Sequence, residues 1–120
     1  MAKSYDLRRE VQVAKMQQLI DAVDNIERGT LADNCTTTNV AASLTEVTLQ
    51  AANVLRSEVI IHNNTNGILY ILCGSGVTSS NYNWRLKRGD HLTVDKFRGQ
   101  LTGIFTNATG FAMVTEEFYT

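Results

Sequence analysis

The residues of this chain that could carry chemistry are scattered, and each has a plainer use beside the chemical one. The two histidines, His62 and His91, stand far apart in the second half. A nucleophilic triad needs a base, an orienting acid and an activated Ser or Cys that converge. The materials for one would be His91, Asp90 or Asp95, and Cys73. Nothing in their spacing gathers them, and a strand-end histidine is the simpler reading. Gly74-Ser75-Gly76 follows an apolar run, as a nucleotide-binding turn would. That fingerprint wants a third glycine at position 79, which is Ser79, and a helix after it. The segment reads instead as a flexible turn. Arg88-Gly89-Asp90 spells a tripeptide used by adhesion ligands, but a hairpin turn selects Gly and Asp for its own reasons. Glu116-Glu117 reads as a solvated edge. Tyr82 and Trp84 have the types needed to stack on a sugar, although alternating aromatics on a strand more often fill a core. Cys35 and Cys73 lack CxxC spacing and are expected to be buried thiols acting as small hydrophobes. No catalytic residue, cofactor site or metal site is assigned.

Bulk properties narrow the class further. A chain of 120 residues is one domain, or one small domain with an appendage. Its formal net charge of −1 leaves no basic footprint for nucleic acid and no polybasic patch for a membrane surface. No apolar run approaches the ~20 residues that span a bilayer. The first residues, Met1-Ala2-Lys3-Ser4-Tyr5-Asp6, lack the apolar centre of a secretory signal, so synthesis in a cytoplasm is expected. The Asn-x-Ser/Thr triplets at Asn34, Asn63 and Asn107 are then incidental.

The elements that must position these residues fall into three pieces: an N-terminal helix in 1–29, a polar connector in 30–55, and an antiparallel β-domain in 56–120. Residues 4–28 have a cap at Ser4, an acid at Asp6 to complement the dipole, and a stop at Arg28-Gly29. Met16, Leu19, Val23 and Ile26 follow the spacing of a short coiled-coil seam. Two packings are open to that helix, against its own sheet or in a bundle with copies of itself. The connector is Thr- and Ala-rich and holds one candidate strand, 44–49. From Arg56 onward, short apolar runs cover 56–62, 68–72, 81–86, 91–94, 100–105 and 111–116. Glycine- and asparagine-rich turns separate them, and the chain has no proline. That pattern reads as a sandwich or barrel. The expected fold class is therefore α+β, mainly β. Within 68–72 both faces are apolar, with Leu69 and Ile71 on one and Tyr70 and Leu72 on the other. An antiparallel sheet normally wets one face, so this strand calls for a cover. The helix or a neighbouring copy is the expected source.

The segment from Ser57 to Glu117 resembles a small β-module of tailed-bacteriophage structural proteins. The residues that carry the likeness are Ile61-His62-Asn63, Leu69-Tyr70-Ile71-Leu72, Tyr82-Asn83-Trp84-Arg85-Leu86 with Gly89, Gly99-Gln100-Leu101-Thr102-Gly103-Ile104 and Val114-Thr115-Glu116. The resemblance implies a non-enzymatic virion component, first of all a capsid decoration (cement or head-fibre) protein. A neck or tail adaptor or fibre-base protein is the alternative within that class. A small carbohydrate- or ligand-binding sandwich using Tyr82 and Trp84 is the alternative outside it. The expected partners are copies of the chain itself, with a homotrimer favoured, and a major capsid or neck/tail protein. Neither nucleic acid nor membrane is expected as a partner. Met16, Leu19, Val23, Ile26, Leu69 and Ile71 are the expected oligomer contacts. Tyr5, Leu7, Arg8, Arg9 and Val11 precede the seam and are expected to attach the chain to the particle, leaving the turns near Gly67, Gly89 and Gly110 outermost.

Overall fold

A computed structural model describes residues 32–120. Eight strands run through them: β1 (Asn34–Ala41), β2 (Val47–Gln50), β3 (Arg56–Thr65), β4 (Leu69–Cys73), β5 (Trp84–Leu86), β6 (His91–Asp95), β7 (Leu101–Phe105) and β8 (Gly110–Phe118). They form two four-stranded sheets, β1-β8-β3-β6 and β2-β7-β4-β5, and every pairing is antiparallel. The α+β expectation is thereby corrected, because the described residues are all-β. The helix expected over 4–28 lies outside them, as do Tyr5, Leu7, Arg8, Arg9, Val11, Met16, Leu19, Val23 and Ile26. The range 30–55 contributes two strands, not one. Its Thr36-Thr37-Thr38 run is β-branched and suits an extended backbone.

The core lies between the sheets. Val59 and Ile61 of β3, Val94 of β6, and Ala112 and Val114 of β8 meet Leu49 of β2, Leu69 and Ile71 of β4, Leu86 of β5, and Leu101 and Phe105 of β7. Along β3 and β8 the inward residues alternate with outward ones, as the pleat requires. Gly103 of β7 faces this core, and a side chain there would press on Leu49 and Leu69.

Leu69 and Ile71, expected to bury between copies, are fully buried between the chain's own sheets. The cover for the other face of β4 is also internal. Residues 74–83, which link β4 to β5, fold back over the outer face of the second sheet. Glu46 accepts hydrogen bonds from the backbone N–H of Gly76 and of Val77, Thr102 Oγ1 donates to the Gly74 carbonyl at 2.6 Å, and the Tyr82 ring rests on Tyr70. Thr102 points outward by its register with Leu72 and Thr48, yet it is 1% exposed. A helix or neighbouring copy is not needed to dry that face.

Candidate functional site

The strands run between two poles. At the base, β1 and β6 of the first sheet meet the chain near Asn34 and Asp95, and residues 51–55, 96–100 and 118–120 close the end. At the distal pole, the β3–β4, β5–β6 and β7–β8 turns gather. Asp33 marks the base: its N–H donates to the Phe118 carbonyl at 3.2 Å, and its carboxylate accepts from the Thr120 N–H at 2.8 Å. The first described residues therefore lie at the pole opposite the three turns. Ten residues of β3, at about 3.3 Å each, put roughly 30 Å between the poles.

The base is held by a buried ion pair. Arg56 Nε donates to Glu116 Oε2 at 2.9 Å. Its Nη1 donates to the carbonyls of Phe97 (3.1 Å) and Gly99 (2.9 Å), and its Nη2 to that of Ala51. Asn53 Nδ2 donates to the other carboxylate oxygen of Glu116 at 3.2 Å. Arg56 is 1% exposed and Glu116 5%. A register shift between Arg56 and Glu58 explains the geometry. The bulge changes the parity of β3, so Arg56 joins Val59 and Ile61 on the inner side. Glu116 is thus no solvated edge.

At the distal pole Asn63, 1% exposed, plays the corresponding part. Its Nδ2 donates to the carbonyls of Gly67 and Leu86, each at 2.9 Å, and its Oδ1 accepts from Thr65 Oγ1 (2.7 Å) and the Thr65 N–H (3.1 Å). Its backbone exchanges hydrogen bonds with Gly89 and Asp90. One residue therefore ties the β3–β4 turn to the β5–β6 turn. Thr106 joins the third, its N–H donating to the Ile68 carbonyl and its Oγ1 accepting from the Ile68 N–H. Gly89 and Gly110 sit at positive φ in these turns, where a side chain would be strained. The Asp90 carboxylate is spent on its own turn, accepting from the Lys87 N–H at 2.9 Å. What remains outermost is a rigidly backed set of polar tips.

The other sequence candidates are dispersed, with one exception. His62 and His91 are directly opposed across β3 and β6, their rings 5.4 Å apart and edge-on. Only the strand pairing reveals this, since the sequence separates them. Cys35 is exposed and Cys73 half-buried, so neither is the buried thiol expected. Cys73 belongs to the other sheet, where burial pushes its thiol pKa up, and it joins no triad with the histidines. Gly74-Ser75-Gly76 does turn at positive φ, but Glu46 already takes the amides a phosphate would use. Trp84, opposite Ile71, packs on the core while Tyr82 lies against Tyr70, so the two aromatics make no shared sugar platform. Glu58 neighbours both Asp95 and Glu117 on the outer face. Its pKa is raised by burial, by a hydrogen bond with Glu117, and by the charges of Glu117 and Asp95. Among the described residues, no group of three or more His, Cys, Asp or Glu could hold a metal ion.

No family model and no curated protein matches the chain. Among solved structures it is similar to the stem and receptor-binding domain of the spike protein P1 from bacteriophage PM2. Identity is 12% and the TM-score 0.53, over 65% of this chain and 31% of that one. The chain thus spans less than a third of the spike chain's length, and the likeness is one of fold. A Bacillus endospore appendage, from a family of disulfide-linked pili, matches at 16% identity with a TM-score of 0.43. That match covers 72% of this chain and 87% of the appendage chain. The spike is a phage structural β-module, and nothing in the match points to tailed phages in particular.

Proposed function

We propose that this chain is a non-enzymatic structural component of a virion whose β-sandwich is held outward by residues 1–31. The observation that carries this reading is the polarity of the sandwich. The preceding segment joins at one pole, and three turns, braced by Asn63 and Thr106, are presented at the other. The shared fold with a phage spike domain supports the same class. Within it we favour capsid decoration, with a neck, tail or fibre-base position as the alternative, and a major capsid or neck/tail protein as the partner of Tyr5, Leu7, Arg8, Arg9 and Val11. Copies associate through Met16, Leu19, Val23 and Ile26 as a cyclic oligomer, a trimer being favoured by the short seam.

Purified particles provide the test. The full-length protein is expected in them, and a variant lacking residues 2–11 is expected to keep its β circular dichroism while no longer co-purifying. An epitope tag inserted between Asn107 and Ala108 should be accessible to antibody on intact particles. If the protein is absent from particles, the virion reading fails. If the truncated form still occupies them, or the tag is masked, the polarity is wrong.

A further inference from the structure

Among the described residues, four strands stand at sheet edges: β1 and β6 in one sheet, β2 and β5 in the other. Three of them are blunted in the ways that prevent strand addition. β5 has 3 residues, and β2 has 4 with a register shift in its pairing. β6 has 5, carries Asp95, and ends at Lys96, whose φ of 68° turns the chain away. β1 has none of these protections. It runs 8 residues, Asn34-Cys35-Thr36-Thr37-Thr38-Asn39-Val40-Ala41, in unbroken register with β8. It carries no charge and no proline. All but half-buried Val40 are exposed, on both faces of the strand. Among the described residues, a strand with one neighbour and two wet faces presents a row of backbone donors and acceptors as a template, with the Cys35 N–H held by Asn34 Oδ1 at 2.9 Å.

We infer that β1 is a self-association edge, and that in the protein not attached to a particle it pairs antiparallel with β1 of a second copy about a twofold axis, which sets the base of one copy beside the distal turns of the other. Two observations select this occupant. The strand is neutral, so self-pairing meets no like-charge repulsion, whereas a charged partner strand would find no complement on it. It is also matched in length only by itself. Pairing with β6 of a neighbour would leave three of its eight residues over, and would make an open, head-to-tail chain where the β1 pair closes.

The symmetry fixes the register. A twofold axis normal to the sheet keeps the outer faces of both copies on one side, so opposed residues must have the same parity. Centring on Thr37 opposes Thr37 to its own copy, Thr36 to Thr38, Cys35 to Asn39 and Asn34 to Val40. Threonine pairs of this kind hydrogen-bond across strands, and the two sheets join into one of eight strands.

The test is covalent and does not depend on any other contact between copies. In the full chain carrying Cys35→Ser, Thr37→Cys places the new thiol on the axis. Opposed Cα atoms there are about 4.5–5.5 Å apart, within the roughly 4.4–6.8 Å that a disulfide spans. Mild oxidation should convert most of this variant to a covalent dimer, at least tenfold faster than a companion carrying Asn39→Cys in the same background. Hydrogen exchange of the wild-type chain should show residues 34–41 gaining protection as concentration rises, and a Thr36→Lys variant losing that gain. Equal cross-linking at both positions, or exchange at 34–41 indifferent to concentration, overturns the inference. Either result would hand the edge to a foreign strand or to another part of the chain.

Discussion

Removing Glu116 should injure this protein far more than the loss of a surface charge would, because the carboxylate lies inside. In a Glu116→Ala variant the Arg56 guanidinium keeps the carbonyls of Ala51, Phe97 and Gly99 but loses the one anion it pairs with among the described residues. Breaking a buried pair from one side costs about 3–5 kcal/mol. For a domain of this size each kcal/mol lowers the melting temperature by about 4–8 °C, so a drop of at least ~12 °C is expected. Arg56→Met should cost still more. It strands Glu116 with Asn53 and takes their donor from the part-buried carbonyls of Ala51, Phe97 and Gly99. Glu116→Gln keeps an acceptor for Arg56 and should be milder, at about 1.5–3 kcal/mol. The double variant Arg56→Met/Glu116→Leu should lose less than the sum of the single losses by about 1–3 kcal/mol. Urea unfolding with midpoint and slope measured for all four reads these values directly. A Glu116→Ala cost under ~1 kcal/mol would be that of a surface pair, and it would refute the claim that this ion pair pins the base of the sandwich.

The remaining expectations concern the faces and the core. Glu58→Gln should stabilise the protein at neutral pH by roughly 0.2–1 kcal/mol, the scale of a like-charge cross-strand pair. It should also remove a pH slope. Because the folded pKa of Glu58 is raised, just above the ordinary carboxylate range the native state holds a proton the unfolded chain has released. Stability in the wild type therefore rises as pH falls through that window and declines as pH climbs out of it. Thermal melts from pH 4 to 8 that run parallel for the two proteins would sink this account. Gly103→Ala should destabilise by about 1–3 kcal/mol through overpacking, since its Cβ would meet Leu49 Cδ1 at 2.8 Å, and an unchanged urea midpoint would contradict it. Ile71→Asp should unfold the single chain and not merely disperse an oligomer, because a carboxylate there is stranded in the core. A soluble monomer with native circular dichroism would disprove the core assignment.

The strands that were legible in the sequence are those with a buried face. Val59 and Ile61, Leu69 and Ile71, or Leu101 and Phe105 reveal themselves because period-two burial leaves a period-two composition. The turns around Gly67, Gly89 and Gly110 were legible because backbone geometry restricts the residues that fit there. β1 left no such trace. Neither of its faces is covered, so its Thr-rich run has no apolar alternation and passed for a connector. Its place is set by the ladder with β8, a contact between residues 70 to 84 positions apart. The covering of β4 by residues 74–83 was likewise invisible: the need for a cover could be read from the strand, but the supplier depends on Glu46, Thr102 and Tyr82 meeting in space.

The residues that organise the two poles escaped for a related reason. Arg56 and Glu116 look like ordinary strand-end charges, and only the bulge between Arg56 and Glu58 turns the guanidinium inward. Asn63 looks like one more turn residue, yet its side chain satisfies both carbonyls and donors of adjoining turns. A single-sequence pattern registers apolar burial, whereas the polar burial of Arg56 rests on Phe97, Gly99 and Glu116, 41 to 60 positions away, which no local period encodes. The same polar residues give the sandwich its stiffness at either end. Arg56 fixes the pole beside Asp33, where the described chain begins, and Asn63 fixes the opposite pole. The uncharged edge of β1 runs the length between those poles, and the antiparallel pairing inferred for it opposes the base of one copy to the distal turns of the next.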